Sequence, residues 1–222
     1  MNHKIFILSL LAALSLMACG NDNPTNSISN TIDTVKIGNQ IWMKKNLDVD
    51  HYRNGDPIPE AKDSALWANL TTGAWCYYNN DPANGKIYGK LYNWYAVNDP
   101  RGLAPSGWHV PSDSEWKILE NYLGGDSIVG DKLKEKGTSH WISPNTGATN
   151  ESGFTGLPGG GRNYDGTFEF LGQGSLMLAG IWWSSSLFGK QAIDRYIGYH
   201  DSRFIIRTND IHCGLSIRCI KD

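Results

Sequence analysis

The sequence has little net charge, and it lacks the common catalytic and metal-binding signatures. Its 20 Lys and Arg residues nearly balance its 22 Asp and Glu residues, so the formal net charge is −2. This balance gives no electrostatic reason to expect nucleic acid or an anionic lipid surface as a partner. The chain has no H-E-x-x-H or C-x-x-C zinc signature and no G-x-S-x-G nucleophile elbow. We therefore predict a protein that is not an enzyme and that binds no nucleic acid.

The longest apolar run lies at the N-terminus and is too short to cross a bilayer comfortably. It follows Lys4 and covers residues 5–16, a pattern typical of a secretion signal. It ends in Leu16-Met17-Ala18-Cys19, which resembles a bacterial lipobox. On that resemblance residues 1–18 are removed and Cys19 carries the lipid that anchors the protein to the membrane. An ordinary signal peptide with an incidental cysteine is the alternative.

The segment after Cys19 is polar and has almost no apolar content up to Asp33. Such a composition cannot form a core, so residues 19–33 are predicted to be a flexible tether. Gly20 stands where a retention signal for the inner membrane would have Asp, which favours the outer membrane or the cell surface. The length of the remainder suits one domain over residues 34–222.

Aromatic residues and glycine are abundant, with 9 Trp, 10 Tyr and 25 Gly in 222 residues. Glycine supplies the positive φ angles that tight turns need, and large rings fill the core between loops. The composition therefore predicts a compact and loop-rich domain in which most of the tryptophans are buried.

The clearest helix pattern begins at Ser112, which is a typical N-cap. Glu115 lies three residues later and completes a capping box. Apolar residues then follow at helical spacing, and Gly124 and Gly125 end the pattern. Those predicted to share the buried face are Trp116, Leu119 and Leu123, flanked by Ile118 and Tyr122.

The other patterns are shorter. Residues 34–43 alternate around Gly38-Asn39 and predict a β-hairpin. Helical spacing predicts helices at 64–70, 88–98 and 127–136, and strands are predicted at 73–78, 108–110, 180–187, 192–199, 204–208 and 215–220. Helices in the first half and strands in the second indicate an α+β domain.

Two family resemblances follow from these motifs. Val110-Pro111-Ser112 with Glu115 and Trp116 is similar to a segment of the formylglycine-generating (sulfatase-modifying) family, a branch of the C-type lectin-like fold. From about Thr34 to its end the chain resembles the Fibrobacter succinogenes major paralogous domain family. That resemblance is carried by the stretches at residues 37–47, 89–97, 107–111, 161–166, 182–186 and 217–222. It implies a C-type lectin-like domain with two main helices, short antiparallel sheets and long loops.

Cys76, Cys213 and Cys219 remain after Cys19, and they allow one disulfide and one leftover thiol. The lectin-like resemblance implies a Cys76–Cys219 bridge between neighbouring first and last strands. A Cys213–Cys219 bridge across a hairpin is the alternative. The formylglycine-generating family has a pair of copper-binding cysteines near its C-terminus, but the surroundings of Cys213 and Cys219 do not match its motif.

The segment from Thr208 to Cys213 resembles the W-N-D-x-x-C motif that carries calcium and sugar in C-type lectins. Thr208 replaces the tryptophan, and the chain has no E-P-N or Q-P-D partner motif. Asn209 and Asp210 are thus either half of a calcium and sugar site or a turn before the last strand.

Together these patterns predict a lipid-anchored, non-enzymatic module that binds glycan or another surface protein. Aromatic rings stack on the C–H faces of sugars, and the candidates for that role are Trp183, Tyr164 and Tyr196, with Trp182. Burial in the core is the competing interpretation for Trp182 or Trp183. An oxidase of the formylglycine-generating type and a purely structural envelope protein are the alternative functions.

Overall fold

The computed structural model describes Met1 and residues 32–168 and 178–222. The chain divides into two compact units, Met1–Thr31 and Ile32–Asp222, and the fold is that of the second unit. The predicted signal peptide, Cys19 and the tether up to residue 31 lie outside the described residues. Within the described ranges, no helix combines the length and the apolar character that a membrane span needs.

The sheet with the most strands joins the two ends of the second unit. Strands β1 (Thr34–Ile37) and β2 (Gln40–Met43) form the predicted hairpin, whose turn contains Gly38 at a φ of +60°. Strand β9 (Ile220–Lys221) pairs with β2 on one side and with β5 (Trp108–His109) on the other. The sheet is antiparallel, in the order β1-β2-β9-β5.

Two smaller antiparallel sheets complete the strands. The first pairs β3 (Trp75–Cys76) with β4 (Leu91–Tyr92). The second has the order β6-β7-β8, from β6 (Ala179–Phe188), β7 (Gln191–Gly198) and β8 (Ile205–Asn209). The prediction of a mixed domain with few helices and short antiparallel sheets is thus confirmed.

The described helices are short, apart from one. They are α1 (Ser64–Ala68), α2 (Pro82–Tyr88), α3 (Trp94–Val97), α4 (Asp113–Leu123) and α5 (Val129–Leu133), with a 3-10 turn at Tyr78–Asn80. The prediction of one helix over 88–98, which would have been the first helix of a lectin-like fold, is wrong, because α2 ends at Tyr88, β4 follows and α3 covers only Trp94–Val97. Gly89 ends α2 at a φ of +76°, and the Asn93 side chain caps α3 by accepting from the Ala96 N–H.

Helix α4 begins and ends as the sequence predicts. The Ser112 hydroxyl accepts from the Glu115 N–H at 3.3 Å, and the Glu115 carboxylate accepts from the Ser112 N–H at 2.7 Å. Gly124 closes the helix at a φ of +110°. The expected flanking positions are wrong, since Ile118 is 53% and Tyr122 65% exposed.

The inward face of α4 packs on aromatic residues from distant parts of the chain. Trp116 lies 4.6 Å from Trp42 of β2, measured between ring centroids, and its indole N–H points to the Trp183 carbonyl at 3.4 Å. Phe154 contacts both Trp42 and Trp182 edge to face. Rings of this size fill the space that short elements leave between them.

Three buried cations hold the loops together, and we call Lys134, Arg162 and Arg218 the caged cations. Arg218 donates to the carbonyls of Met43, Lys44 and Phe154 at 3.2, 2.9 and 2.6 Å. Arg162 donates to those of Ala61, Lys62 and Gly166 at 2.6, 2.9 and 2.9 Å. The Lys134 ammonium donates to the carbonyls of Thr146 and Asp201 at 2.5 and 2.8 Å. All of these carbonyl groups except that of Met43 belong to residues outside the strands and helices.

Candidate functional site

The segment that was predicted as half of a lectin site forms a tight turn from Asp210 to Cys213. The Cys213 N–H donates to the Asp210 carbonyl at 2.9 Å, and the His212 N–H donates to the Asp210 carboxylate at 2.9 Å. Helices α3 and α1 hold the turn in place. The Trp94 N–H of α3 donates to the Ile211 carbonyl, and the Trp67 indole of α1 donates to the His212 carbonyl. Asp210 thus begins the predicted turn, whereas Asn209 is the last residue of β8 and pairs with Ala192.

A polar chain leads from this turn to helix α3. Asp210 Oδ1 lies 2.7 Å from His212 Nδ1, and His212 Nε2 lies 3.4 Å from the Tyr95 hydroxyl. The rings of Tyr95 and His212 meet edge to face, with centroids 5.3 Å apart. The Asp210 side chain is 49% exposed and the His212 side chain 27%, so these hydrogen-bonded side chains lie at the surface.

Helix α3 fixes the position of Tyr95. Trp94 is buried, and its indole donates to the Ser184 carbonyl at 3.0 Å. The Asn93 side chain anchors the start of the helix, since it accepts from the Ala74 N–H and donates to the Thr72 carbonyl. Tyr95 is therefore half-buried on a short helix whose position is fixed by the hydrogen bonds of Asn93 at its N-cap and of the buried Trp94.

Tyr95 lines a cleft of about 300 Å³. The cleft presents hydroxyl, amide and carboxylate groups beside aromatic and apolar ones. Its lining residues are Thr71, Thr72, Gly73, Trp94, Tyr95, Asn98, Asp99, Pro100 and Ile211. Ile211 belongs to the Asp210–Cys213 turn, so the predicted segment borders the cleft. We call this the Tyr95 cleft.

Gly73 makes the floor of the Tyr95 cleft possible. A Cβ at this position would lie 1.9 Å from the Tyr52 hydroxyl and 2.9 Å from the Ala96 backbone. Any larger residue at position 73 would therefore displace the side chain of Tyr52.

One carboxylate supplies the charge in the cleft. Arg101 donates to Asp99 at 2.9 and 2.8 Å, and these hydrogen bonds lower the pKa of Asp99 to about 2. Burial, with the nearby charge of Asp99, raises the pKa of Tyr52 to about 12. At neutral pH the cleft is thus lined by an ionised Asp99, whose charge the Arg101 guanidinium balances, and the Tyr52 behind Gly73 is neutral.

Two of the predicted stacking residues lie in the core. Trp183 is fully buried and its indole donates to the Tyr92 carbonyl, and Tyr196 is only 5% exposed beneath the Arg207 guanidinium at 4.3 Å. Their predicted role as an exposed platform is wrong, because β6 and β7 run through the centre of the domain. Trp182 is buried as well, as the competing interpretation had it.

Tyr164, Asn209 and Asp210 lie nearer the surface but do not converge on one point. Tyr164 is 60% exposed, and its backbone hydrogen bond to the Cys213 thiol places it next to the turn. The Asn209 amide donates to Asp194 at 2.6 Å, whereas Asp210 faces His212. Within residues 32–168 and 178–222, no group of three or more His, Cys, Asp or Glu side chains is arranged to hold a metal ion.

The three cysteines of the described residues are buried and free. Cys76 packs in a cluster with Trp67 and Leu91, whereas Cys213 and Cys219 belong to the main core cluster. The predicted Cys76–Cys219 bridge is therefore wrong, since β3 and β9 belong to separate sheets. Burial raises the pKa of each thiol to about 12.

Tyr95, His212 and the threonines of the cleft were not among the predicted site residues. The Asp210-Ile211-His212 spacing was a usable pattern, because an Asp two residues before a His accepts its backbone N–H in an Asx turn. Nothing in the sequence placed Tyr95 beside that turn, since the two are separated by more than one hundred residues.

The family model named Fibrobacter succinogenes major domain matches residues 35–221. No curated protein and no solved structure matches the chain. The matched residues include every described strand and helix of the second unit except the first residue of β1, and all the residues that line the Tyr95 cleft. The chain therefore belongs to the Fibrobacter succinogenes major domain family.

Proposed function

We propose that the protein is a lipid-anchored envelope or cell-surface module that binds carbohydrate without catalysis, and that its domain has a C-type lectin-like fold. The observation that carries the proposal is the Tyr95 cleft. It places a half-buried tyrosine ring beside the polar side chains of Thr71, Thr72 and Asn98.

These groups match the chemistry of a sugar. The C–H face of a pyranose packs on a flat aromatic ring, and its hydroxyl groups exchange hydrogen bonds with hydroxyl and amide side chains. A volume of about 300 Å³ lies at the lower end of the range for ligand sites. We therefore expect the cleft to take one sugar unit of a longer glycan.

The lipid anchor rests on the lipobox resemblance around Cys19. We expect lipid-labelled precursor to incorporate into the wild-type protein and not into the Cys19→Ser variant, and only the wild type to remain with the outer membrane after fractionation. Equal membrane association of both would refute the anchor. Recovery of the lipidated protein in the inner membrane would refute the location.

A glycan-array screen of residues 20–222, which contain the whole second unit, tests the binding function. It is run with calcium and with chelator. Binding that persists in chelator supports the aromatic cleft. Binding that the chelator abolishes would instead indicate a calcium-dependent site, with Asn209 and Asp210 as the candidate ligands. Absence of binding to any glycan refutes the proposal and leaves adhesion to a surface protein, or a purely structural role.

A pair of tyrosine variants assigns binding to the cleft. Tyr95→Leu removes the ring, and we expect a loss of about 0.5–1.5 kcal/mol, or about 2- to 12-fold in affinity for the best array glycan. Tyr122→Leu is the matched control, since Tyr122 is 65% exposed on α4 and outside the cleft. Equal losses in both variants would contradict the location.

The competing hypothesis of a formylglycine-generating-type oxidase needs a pair of thiolates that binds copper. Burial raises the pKa of Cys213 and Cys219 to about 12, whereas reactive cysteines have lowered pKa values. We expect no stoichiometric copper uptake by the reduced protein. Uptake of one copper ion that requires both cysteines would overturn the non-enzymatic proposal.

A further inference from the structure

The polar chain beside the Tyr95 cleft determines which hydrogen bonds the cleft can offer. We infer that Asp210 and His212 fix the Tyr95 hydroxyl as a hydrogen-bond acceptor toward the cleft, so that the site selects sugar groups that donate. This inference rests on the proposed carbohydrate binding and names its specificity.

The first step is the tautomer of His212. Asp210 Oδ1 lies 2.7 Å from His212 Nδ1 and also accepts the His212 backbone N–H at 2.9 Å. An ionised carboxylate only accepts hydrogen bonds, so Nδ1 must carry the hydrogen. In the neutral imidazole Nε2 is then an acceptor.

The second step is the orientation of the Tyr95 hydroxyl. His212 Nε2 lies 3.4 Å from the Tyr95 oxygen, a long hydrogen bond of the kind that tightens when a ligand binds. Because Nε2 can only accept, the tyrosine must donate. The lone pairs of the tyrosine oxygen then remain for a ligand, and no other hydrogen bond to this oxygen occurs within the described residues.

The third step is the second acceptor among the residues that line the cleft. Asp99 is ionised, since its hydrogen bonds with Arg101 lower its pKa to about 2, and the Arg101 guanidinium balances its charge. Its carboxylate, like the Tyr95 oxygen, only accepts. Both groups therefore favour a ligand with hydroxyl or amide donors over a carboxylate, which can itself only accept. The preferred class is a neutral sugar rather than a uronic acid.

The tautomer can be measured without a ligand. Long-range ¹H–¹⁵N correlation spectra of residues 20–222, recorded where the ring is neutral, should show His212 protonated at Nδ1. Asp210→Asn keeps an accepting oxygen and should keep this tautomer, whereas Asp210→Ala should raise the Nε2–H form. Wild-type protein with the hydrogen on Nε2 would overturn the inference whether or not a sugar binds.

The acceptor role is tested with methyl β-D-glucopyranoside and its glucuronide counterpart, titrated by chemical shift. Tyr95→Phe keeps the ring and removes the oxygen, so we expect about 3- to 10-fold weaker binding of the glucoside. The wild type should bind the glucuronide more weakly than the glucoside. Equal affinity of Tyr95→Phe and wild type, or a preference for the glucuronide, would overturn the specificity. No binding of either sugar, with the predicted tautomer present, would refute the proposed function at this cleft and leave the orientation of Tyr95 established.

Discussion

Replacing Lys134 by Met should destabilise the domain by about 2–4 kcal/mol. The Lys134 side chain is fully buried, and its ammonium donates to the carbonyls of Thr146 and Asp201. Methionine keeps much of the apolar stem but leaves both carbonyls without a donor. A fully buried carbonyl without a donor costs about 1–3 kcal/mol, and since both of these hydrogen bonds are part-buried, the two together fall in the lower part of about 2–6 kcal/mol. Burial lowers the pKa of Lys134, because the charged ammonium is disfavoured in the core. Replacing it by an uncharged side chain removes this unfavourable contribution and offsets part of the loss from the two carbonyls.

Urea unfolding at neutral pH measures this loss, with Lys132→Met as the matched control. Lys132 lies in α5, two residues before Lys134, but its side chain is 29% exposed and its ammonium lies 3.8 Å from the exposed Glu151 carboxylate, so its replacement should cost about 0.5 kcal/mol or less. The Thr146 amide, which donates to the Tyr199 carbonyl, should exchange faster in Lys134→Met. Equal stability of the two variants would refute the claim that Lys134 holds these loops.

Two further predictions concern β5 and α4. Burial disfavours the charged form of His109, but its hydrogen bonds to Asp222 and Glu115, both at 2.7 Å, outweigh this and raise its pKa above 6.5. Because the folded pKa is the higher one, this stabilisation is complete below about pH 6.5 and is lost as the pH rises through the folded pKa. Urea midpoints should therefore fall across that window in the wild type and less in His109→Gln, and equal slopes would contradict the argument. Leu119→Ala should lower the free energy of unfolding by about 2–5 kcal/mol in the same assay, because Leu119 is fully buried. Ile118→Ala on the exposed side of α4 should lower it by about 0.5 kcal/mol or less. Similar losses in the two variants would mean that α4 turns a different face toward the core.

Local patterns were sufficient for the parts of the fold that local chemistry determines. The capping box at Ser112 and Glu115 predicts the start of α4, because both partners lie within one helical turn. The alternation around Gly38 predicts the first hairpin for the same reason. Periodicity alone failed at 88–98, where Gly89 ends one helix and the Asn93 side chain begins another.

The candidate site depended on contacts that no local pattern contains. Composition predicted that most tryptophans are buried but gave no way to choose which aromatic ring stays exposed. Trp183 and Tyr196 are buried because their rings pack in the main core cluster, whereas Tyr95 is kept near the surface by the burial of its neighbour Trp94. Asp210 was found from the sequence, but its partner His212 and the cleft that they border were not.

The caged cations have a consequence for where this domain can work. A bound metal ion that holds loops together stabilises a fold only in proportion to the logarithm of its free concentration. Here the charges that gather the loop carbonyls are covalent parts of the chain, so dilution or a chelator cannot remove them. Removal of calcium should thus leave the unfolding temperature unchanged, because the loop carbonyls keep the same donors.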